Sequence, residues 1–338
     1  MRPESDLAMN LETEPTGRDR TLVATLCGGD YWDGVAALAN SLAAAGFRGG
    51  FRVGCQGRVP EWARRADGRD AGGFTFSLIE IETDYHLTHY KPEFLLRVAA
   101  EEVEPFERLV YIDADAVVAR PWADFDAWID RGIAVCEDVN GKMPFDAPRR
   151  EGWRRFFRSG EEGKAESPGG YVFPGPMGEM KEGLYANGGF LGLRRERLGF
   201  LSLWRDLIDG AAPAVGGLRN WSSVAPSPFH IADQDCLNVA LMLTEEPVEF
   251  APASAMGFCP GPLWLPHTLG PRKPWRRPFL WPSLLGREVG AAAAAYWRAA
   301  PGCGPFGEGW RWWAAVRRLD LRIGRAVRAF RIGWGKSS

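Results

Sequence analysis

Residues 21–47, TLVATLCGGDYWDGVAALANSLAAAGF, begin with a short apolar run of β-forming residues and turn through Gly28, Gly29 and Asp30. They continue with Val35, Leu38 and Leu42 at helical spacing. A strand, a glycine turn and a helix in that order is the unit from which parallel sheets are built. Further strands are predicted at 51–55 (FRVGC) and 74–81 (FTFSLIEI), and a helix over 92–103 leads into a strand at 108–112 (RLVYI). Strands alternating with helices imply an α/β fold, a Rossmann-like, mostly parallel sheet flanked by helices. Regular signals return at YANGGFLGLRRERL, a strand entering a helix, and at ADQDCLNVALML, a helix with an acidic first turn.

The chain has 338 residues, enough for a core that needs neither disulfides nor metal. Its 41 basic and 43 acidic side chains leave a net charge of −2, so whole-chain charge gives no reason to expect a nucleic-acid partner. Six scattered cysteines with no CxxC imply neither a zinc ribbon nor a disulfide framework and fit a reducing, cytoplasmic compartment. Residues 1–20 mix acidic and basic groups without an apolar stretch and read as a disordered leader. The uncharged stretch 251–271 is broken by Pro260, Pro262, Pro266 and His267, which argues against a membrane span. Between 138 and 185 glycine, proline, arginine and aromatic residues crowd together, which reads as a long connection.

Two stretches carry chemistry. In LVYIDADAVV, Asp113 and Asp115 leave the end of an apolar strand at i and i+2, an arrangement that can hold a hard divalent cation through oxygen. The same two residues could instead simply start a turn. In LPHTLGPRKPW, His267 can complete a metal shell, Gly270 allows close backbone approach, and Lys273 offers a point charge for phosphate. DADAV also fits the start of haloacid-dehalogenase-type phosphatases. That reading needs a later lysine and a paired acidic motif, which the sequence does not supply convincingly, and it leaves HTLGPRKPW unexplained.

DxD and HxxGxxKPW together resemble glycosyltransferase family 8 and its relatives on the GT-A fold. The resemblance extends to Asp30-Tyr31, to Asn187-Gly188-Gly189-Phe190, and to Asp233-Gln234-Asp235 with Leu237-Asn238, five elements in family order over about residues 21–275. It implies a glycosyltransferase, a hexosyltransferase that retains anomeric configuration and uses a nucleotide sugar, with a UDP-linked hexose as donor; a non-catalytic nucleotide-sugar binder is the alternative beside it and the phosphatase. Asp113, Asp115 and His267 would bind Mn²⁺ or Mg²⁺, and Lys273 would neutralise leaving-group charge. Asp30 and Tyr31 would contact base or ribose. Arg97, or Lys91 in its place, would bring positive charge to the donor. Asn187 and Asp233 would hold sugar hydroxyls, with Gly188, Gly189 and Gly270 beside the donor. Gln234 would face the reacting sugar, favouring front-face displacement, with Asp235 as the other candidate nucleophile. The turn before Asp30 lacks the first acidic residue that many relatives place there.

The domain reading is a catalytic unit over 21–285, a linker with a short helix over 286–309, and a C-terminal segment over 310–338. The 138–185 connection is expected to cover a saccharide or glycolipid acceptor, with Asp138, Trp153 and Tyr171 as contacts and Phe156 and Phe157 as further stacking rings. In the C-terminal segment Trp312, Val316, Leu319, Ile323, Val327, Phe330 and Trp334 recur at three or four, and arginines fill most other positions. That is the pattern of a helix lying on an anionic membrane surface; a helix docked on the catalytic unit is the alternative. Surface-polysaccharide synthesis by a cytoplasmic enzyme held peripherally on the inner membrane face is the expectation that follows.

Overall fold

The computed structural model describes residues 20–71, 73–143, 148–158, 183–223, 227–271, 273–276, 290–300 and 310–335. Tyr171, most of the expected leader and much of the expected linker lie outside them. The first strand and helix form as their sequence requires. β1 (Thr21–Gly28) feeds α1 (Trp32–Ala44), and β2 (Gly50–Gln56), α2 (Glu61–Ala66), β3 (Arg69–Ala71) and β4 (Phe74–Glu80) follow. Next come α3 (Lys91–Glu101), β5 (Arg108–Ile112), α4 (Trp122–Ile129), β6 (Ile133–Met143), α5 (Pro148–Arg158) and β7 (Gly183–Arg194). The described chain ends with α6 (Gly199–Ala211), α7 (Ala232–Leu243), β8 (Val248–Ala251), α8 (Ala291–Ala299) and α9 (Trp310–Gly335).

One eight-stranded sheet runs β3-β4-β2-β1-β5-β7-β6-β8. The run β4-β2-β1-β5 is parallel, β7 is antiparallel to both β5 and β6, and β8 pairs parallel with β6. The α/β expectation holds, with antiparallel pairings added at the β3 edge and after β5. Both faces of the parallel run are covered, which explains why its strands read as continuous apolar runs instead of alternating. Leu22, Ala24 and Leu26 of β1 join Leu109 and Tyr111 of β5 in a core under α3, α6 and α7. Val23, Val110 and Ile112 point the other way, into a core with Val35, Leu38 and Trp128 from α1 and α4.

β1 pairs with β2 on one side and β5 on the other, so the chain's crossovers diverge at β1 and leave a crevice at the strands' carboxyl ends. The Asp113-to-Val117 turn lies there and is stitched to the second chemistry-bearing stretch. Ala116 bridges His267, Val117 N donates to the Pro266 carbonyl at 3.1 Å, and Thr268 N donates to the Asp115 carbonyl at 3.1 Å. A segment some 150 residues downstream is thereby held against the DxD turn.

Two expectations change, for 138–185 and for the C-terminal helix. Residues 138–185 are not one open connection, because β6 runs to Met143, α5 occupies Pro148–Arg158, and β7 starts at Gly183. Between them in the sequence, within 286–309, the short helix α8 packs onto α1: Tyr296 OH donates to the Asp33 carbonyl at 2.9 Å and Asn40 Nδ2 donates to the Ala300 carbonyl at 2.9 Å. α9 forms over the expected range and packs against α8, but its faces divide differently. Arg317, assigned to the polar face, is buried with Asp320 at 2.9 Å and lies over the Trp297 ring, while Val316, Ile323 and Val327 are half-buried. Trp312, Leu319 and Phe330 remain exposed. No described helix is long and apolar enough to cross a membrane.

Candidate active site

The crevice is a cleft of about 1120 Å³, floored by Tyr111, Asp113 and Asp115 and walled by Tyr31, His267, Gly270 and Lys273. Asp113 is fixed at the end of β5 by its N–H on the Gly189 carbonyl at 2.9 Å and by Tyr111 OH, which donates to its Oδ1 at 2.8 Å. Burial and the neighbouring Asp113 charge push the Tyr111 phenol up, so it stays protonated and donating.

Asp113, Asp115 and His267 each turn one ligand atom into a space where these atoms lie within 4.8 Å of one another. His267 Nε2 is 3.0 Å from Asp115 Oδ1 and 3.7 Å from Asp113 Oδ2. Two carboxylates and an imidazole suit Mn²⁺ or Mg²⁺, with oxygen donors dominating and one nitrogen favouring Mn²⁺. Burial opposes charge on Asp115, but His267 and Lys273 outweigh it and hold that carboxyl below the ordinary carboxylate range. Burial likewise opposes charge on His267, and Asp115 reverses the effect and raises the imidazole above its usual value.

Two buried lysines flank this group. Lys273 donates to Asp115 and, at 2.7 Å, to the Thr268 carbonyl. Gly270, three residues before it, has φ +73°, a conformation glycine adopts without the penalty of a side chain. Lys91, at the start of α3, is surrounded by Gly188 O at 2.8 Å, Asp113 Oδ1 at 3.2 Å and Asp233 Oδ2 at 3.2 Å. Burial would lower its pKa, yet the two carboxylates overcome this and raise it.

No protein-family model matches the sequence, and a comparison with curated proteins found no match. Among solved structures the chain is similar to the galactosyltransferase LgtC in complex with donor and acceptor sugar analogs, at 18% identity and a TM-score of 0.47 over 86% of this chain and 99% of that one. It is also similar to the glycosyltransferase GlyE of Streptococcus pneumoniae TIGR4, at 14% identity and a TM-score of 0.48 over 84% of this chain and 60% of that one. Likeness at this level does not carry an activity across, and the function has to be read from the cleft's own residues.

Most of the residues singled out from sequence converge here. Asp113, Asp115, His267, Lys273, Gly270 and Tyr31 line the cleft, and Lys91, Asp233, Gly188 and Gly189 stand directly behind. Gln234 Oε1 accepts from Gly188 N at 3.0 Å. Asp30 sits at the rim, its carboxylate taken by Arg276 and by Trp275 Nε1 at 3.0 Å, and Arg276 holds its carboxyl below the usual range. Asn187 has both ends of its amide engaged by protein, through Nδ2 to Asp138 Oδ2 at 2.6 Å and Oδ1 to Gly189 N at 2.9 Å.

Others are placed elsewhere. Arg97 points along α3 to Glu101 at 2.7 Å and to the Glu80 carbonyl at 2.8 Å, whereas Lys91 lies beside Asp113 and Asp233. Asp235 is fully buried and accepts from Tyr185 OH at 2.5 Å and His230 N at 2.6 Å; with Arg149 also at 3.3 Å, it ties α7 to β7 and α5 and is no nucleophile. Trp153 is core, its Nε1 on the Pro228 carbonyl at 2.9 Å and its ring beside Tyr185, while Phe156 and Phe157 pack on Phe229. Trp153 and Phe157 are buried, and Phe156 is half-buried against Phe229. Asp138 is buried beneath Asn187 and Gln234, not presented to an acceptor.

Sequence reasoning missed Tyr111, Arg276 and His89. His89 is buried with Nε2 on the Asn220 carbonyl at 2.8 Å, and His86 N donates to the Leu218 carbonyl at 2.7 Å. Together they tie the 83–88 segment to the 218–221 segment across the far end of the cleft. A tyrosine two residues before an aspartate at the end of a strand shares its face, a signal available in YID. The histidine tie joins residues more than a hundred apart and leaves no local trace.

Proposed function

We propose that this chain is a metal-dependent hexosyltransferase similar to glycosyltransferase family 8, moving a hexose from a UDP-linked donor to a saccharide or lipid-linked acceptor with retention of configuration. The carrying observation is the convergence of Asp113, Asp115 and His267 with Lys273 and Lys91 in one cleft at the carboxyl ends of β1 and β5. Asp113, Asp115 and His267 would hold Mn²⁺ or Mg²⁺, which when bound neutralises charge building on the departing diphosphate. Lys273 adds a buried positive charge in the same wall, held in place by Asp115 and Thr268. Tyr31, against Trp275 at 5.5 Å between ring centroids, offers the nucleoside an aromatic edge. Lys91 holds Asp113 in place from behind, with Asp233, buried on its other side, as the support of that lysine and not as a contact for sugar hydroxyls.

Gln234, half-buried with its amide between Gly188 N and Asp138, is our candidate for the group facing the reacting sugar, and an amide is a poor nucleophile. With Asp235 sealed off, front-face displacement is the favoured route to retention. The acceptor side is assigned to the 83–88 and 218–221 segments, where Tyr85 (41% exposed) and Trp221 (58% exposed) line the cleft and can stack on a sugar's apolar face. Exposed Trp312, Leu319 and Phe330 on an arginine-rich helix support peripheral binding to an anionic membrane surface.

Purified protein incubated with UDP-glucose, UDP-galactose and UDP-N-acetylglucosamine, with and without Mn²⁺, tests the reading by UDP release and by NMR of the early product. Metal-dependent release, lost in Asp113→Ala, with a product of unchanged anomeric configuration is expected. An inverted product overturns retention. Binding without turnover on any donor or acceptor favours a nucleotide-sugar binder.

A further inference from the structure

His267 reaches the two aspartates through Nε2, so its other ring nitrogen must be satisfied on the far side. His267 Nδ1 lies 3.2 Å from Asn187 Oδ1. An asparagine amide can present either oxygen or nitrogen, and which one faces the ring is decided one step further back. Asn187 meets Asp138 Oδ2 at 2.6 Å, and a carboxylate only accepts, so Nδ2 must point to Asp138 and Oδ1 to the histidine. Gly189 N, donating to the same Oδ1 at 2.9 Å, enforces that orientation a second time. All four residues except Gly189 carry buried polar side chains, and Gly189 has none for a reason: a Cβ there would stand 2.6 Å from His267 Cε1 and 2.8 Å from Nδ1.

We infer that Asp138 and Asn187 are positioning residues for His267, a two-step relay that holds the ring with its proton on Nδ1 and Nε2 directed at Asp113 and Asp115. This rests on the reading of Asp113, Asp115 and His267 as a metal site. It gives Asn187 a duty different from holding sugar hydroxyls and Asp138 one different from holding an acceptor. An imidazole whose second nitrogen donates to a fixed acceptor is a better-oriented and more basic ligand, and losing such a partner costs metal affinity roughly 10–100-fold.

The test is Mn²⁺ titration of the full chain, with free Mn²⁺ read by electron paramagnetic resonance and no nucleotide present. Asn187→Ala and Asp138→Ala should each weaken Mn²⁺ binding about 10–100-fold. Asp138→Asn, which keeps an oxygen for the Asn187 amide, should retain most of the affinity. The double variant should bind no worse than Asn187→Ala alone, because Asp138 acts through Asn187. Unchanged affinity in Asn187→Ala, or a further loss on adding Asp138→Ala to it, overturns the relay. A second readout needs no metal: the hydrogen-bonded Nδ1–H of His267 should give a slowly exchanging proton–nitrogen signal in the metal-free protein, absent from Asn187→Ala. If wild-type protein binds no Mn²⁺, the metal-site reading fails while this signal still decides the relay. Its absence from wild type, or its persistence in Asn187→Ala, overturns it.

Discussion

Lys91→Met removes one charge from the centre of the molecule and leaves its shape nearly intact. The ammonium has three N–H groups, and the surroundings take all of them: the Gly188 carbonyl at 2.8 Å and the carboxylates of Asp113 and Asp233 at 3.2 Å each. The side chain of Asp113 is 23% exposed and can regain water when the lysine goes, but that of Asp233 is 3% exposed and cannot. The loss is therefore close to that of one buried, uncompensated carboxylate, about 3–5 kcal/mol. The folded-state pKa of Lys91 is raised, so its contribution is fully present below the ordinary lysine range and lost only as the pH climbs through the raised value. Urea unfolding of wild type and Lys91→Met in EDTA at pH 7.5 measures the loss. A loss below about 1 kcal/mol at pH 7.5, the scale of an exposed ion pair, would refute the buried-triad reasoning.

Gly189→Ala should push the His267 ring out of line and weaken Mn²⁺ binding in the same titration, while circular dichroism shows the fold retained; wild-type affinity would mean that the ring shifts at no cost. Trp153→Ala should lose about 3–5 kcal/mol in urea unfolding because the ring is core. Trp221→Ala, at the cleft rim, should change stability by at most about 0.5 kcal/mol and raise the KM for acceptor, leaving UDP-sugar hydrolysis untouched. A chain with Trp312, Leu319 and Phe330 replaced by serine should lose co-sedimentation with vesicles containing anionic lipid, and wild-type binding itself should fall with salt.

The parts of this fold that were legible in the sequence are those with strong periodicity. β5 begins and ends at the residues expected, the ADQDCLNVALML helix spans its quoted stretch, and β1 with α1 follows the opening 21–47 pattern to within a few residues. What misled was composition. Trp153, Phe156 and Phe157 lie among arginines and glycines and read as surface rings, yet α5 turns them inward against Phe229 and Tyr185 while its arginines take the other positions. Arginine-rich character in α9 likewise hid the burial of Arg317, which Asp320, one turn away, makes tolerable. In the site, the residues with unusual local spacing were found, because DAD and HTLGPRKPW are recognisable within ten residues. Asp138 and Asn187 were singled out too, but for acceptor and sugar and not as partners of His267, since the three are 49 and 80 residues apart and only the pairing of β6 with β7, and the stitching of His267 to the DxD turn, brings them together.

The most direct measurement is isothermal titration of the full chain with UDP in the presence and absence of Mn²⁺, repeated in His267→Ala. If the cleft holds a nucleoside diphosphate through a metal carried by Asp113, Asp115 and His267, UDP will bind tightly only with Mn²⁺ present, and His267→Ala will lose most of that enhancement. UDP binding that is indifferent to Mn²⁺ and to His267, or absent under both conditions, would contradict the account.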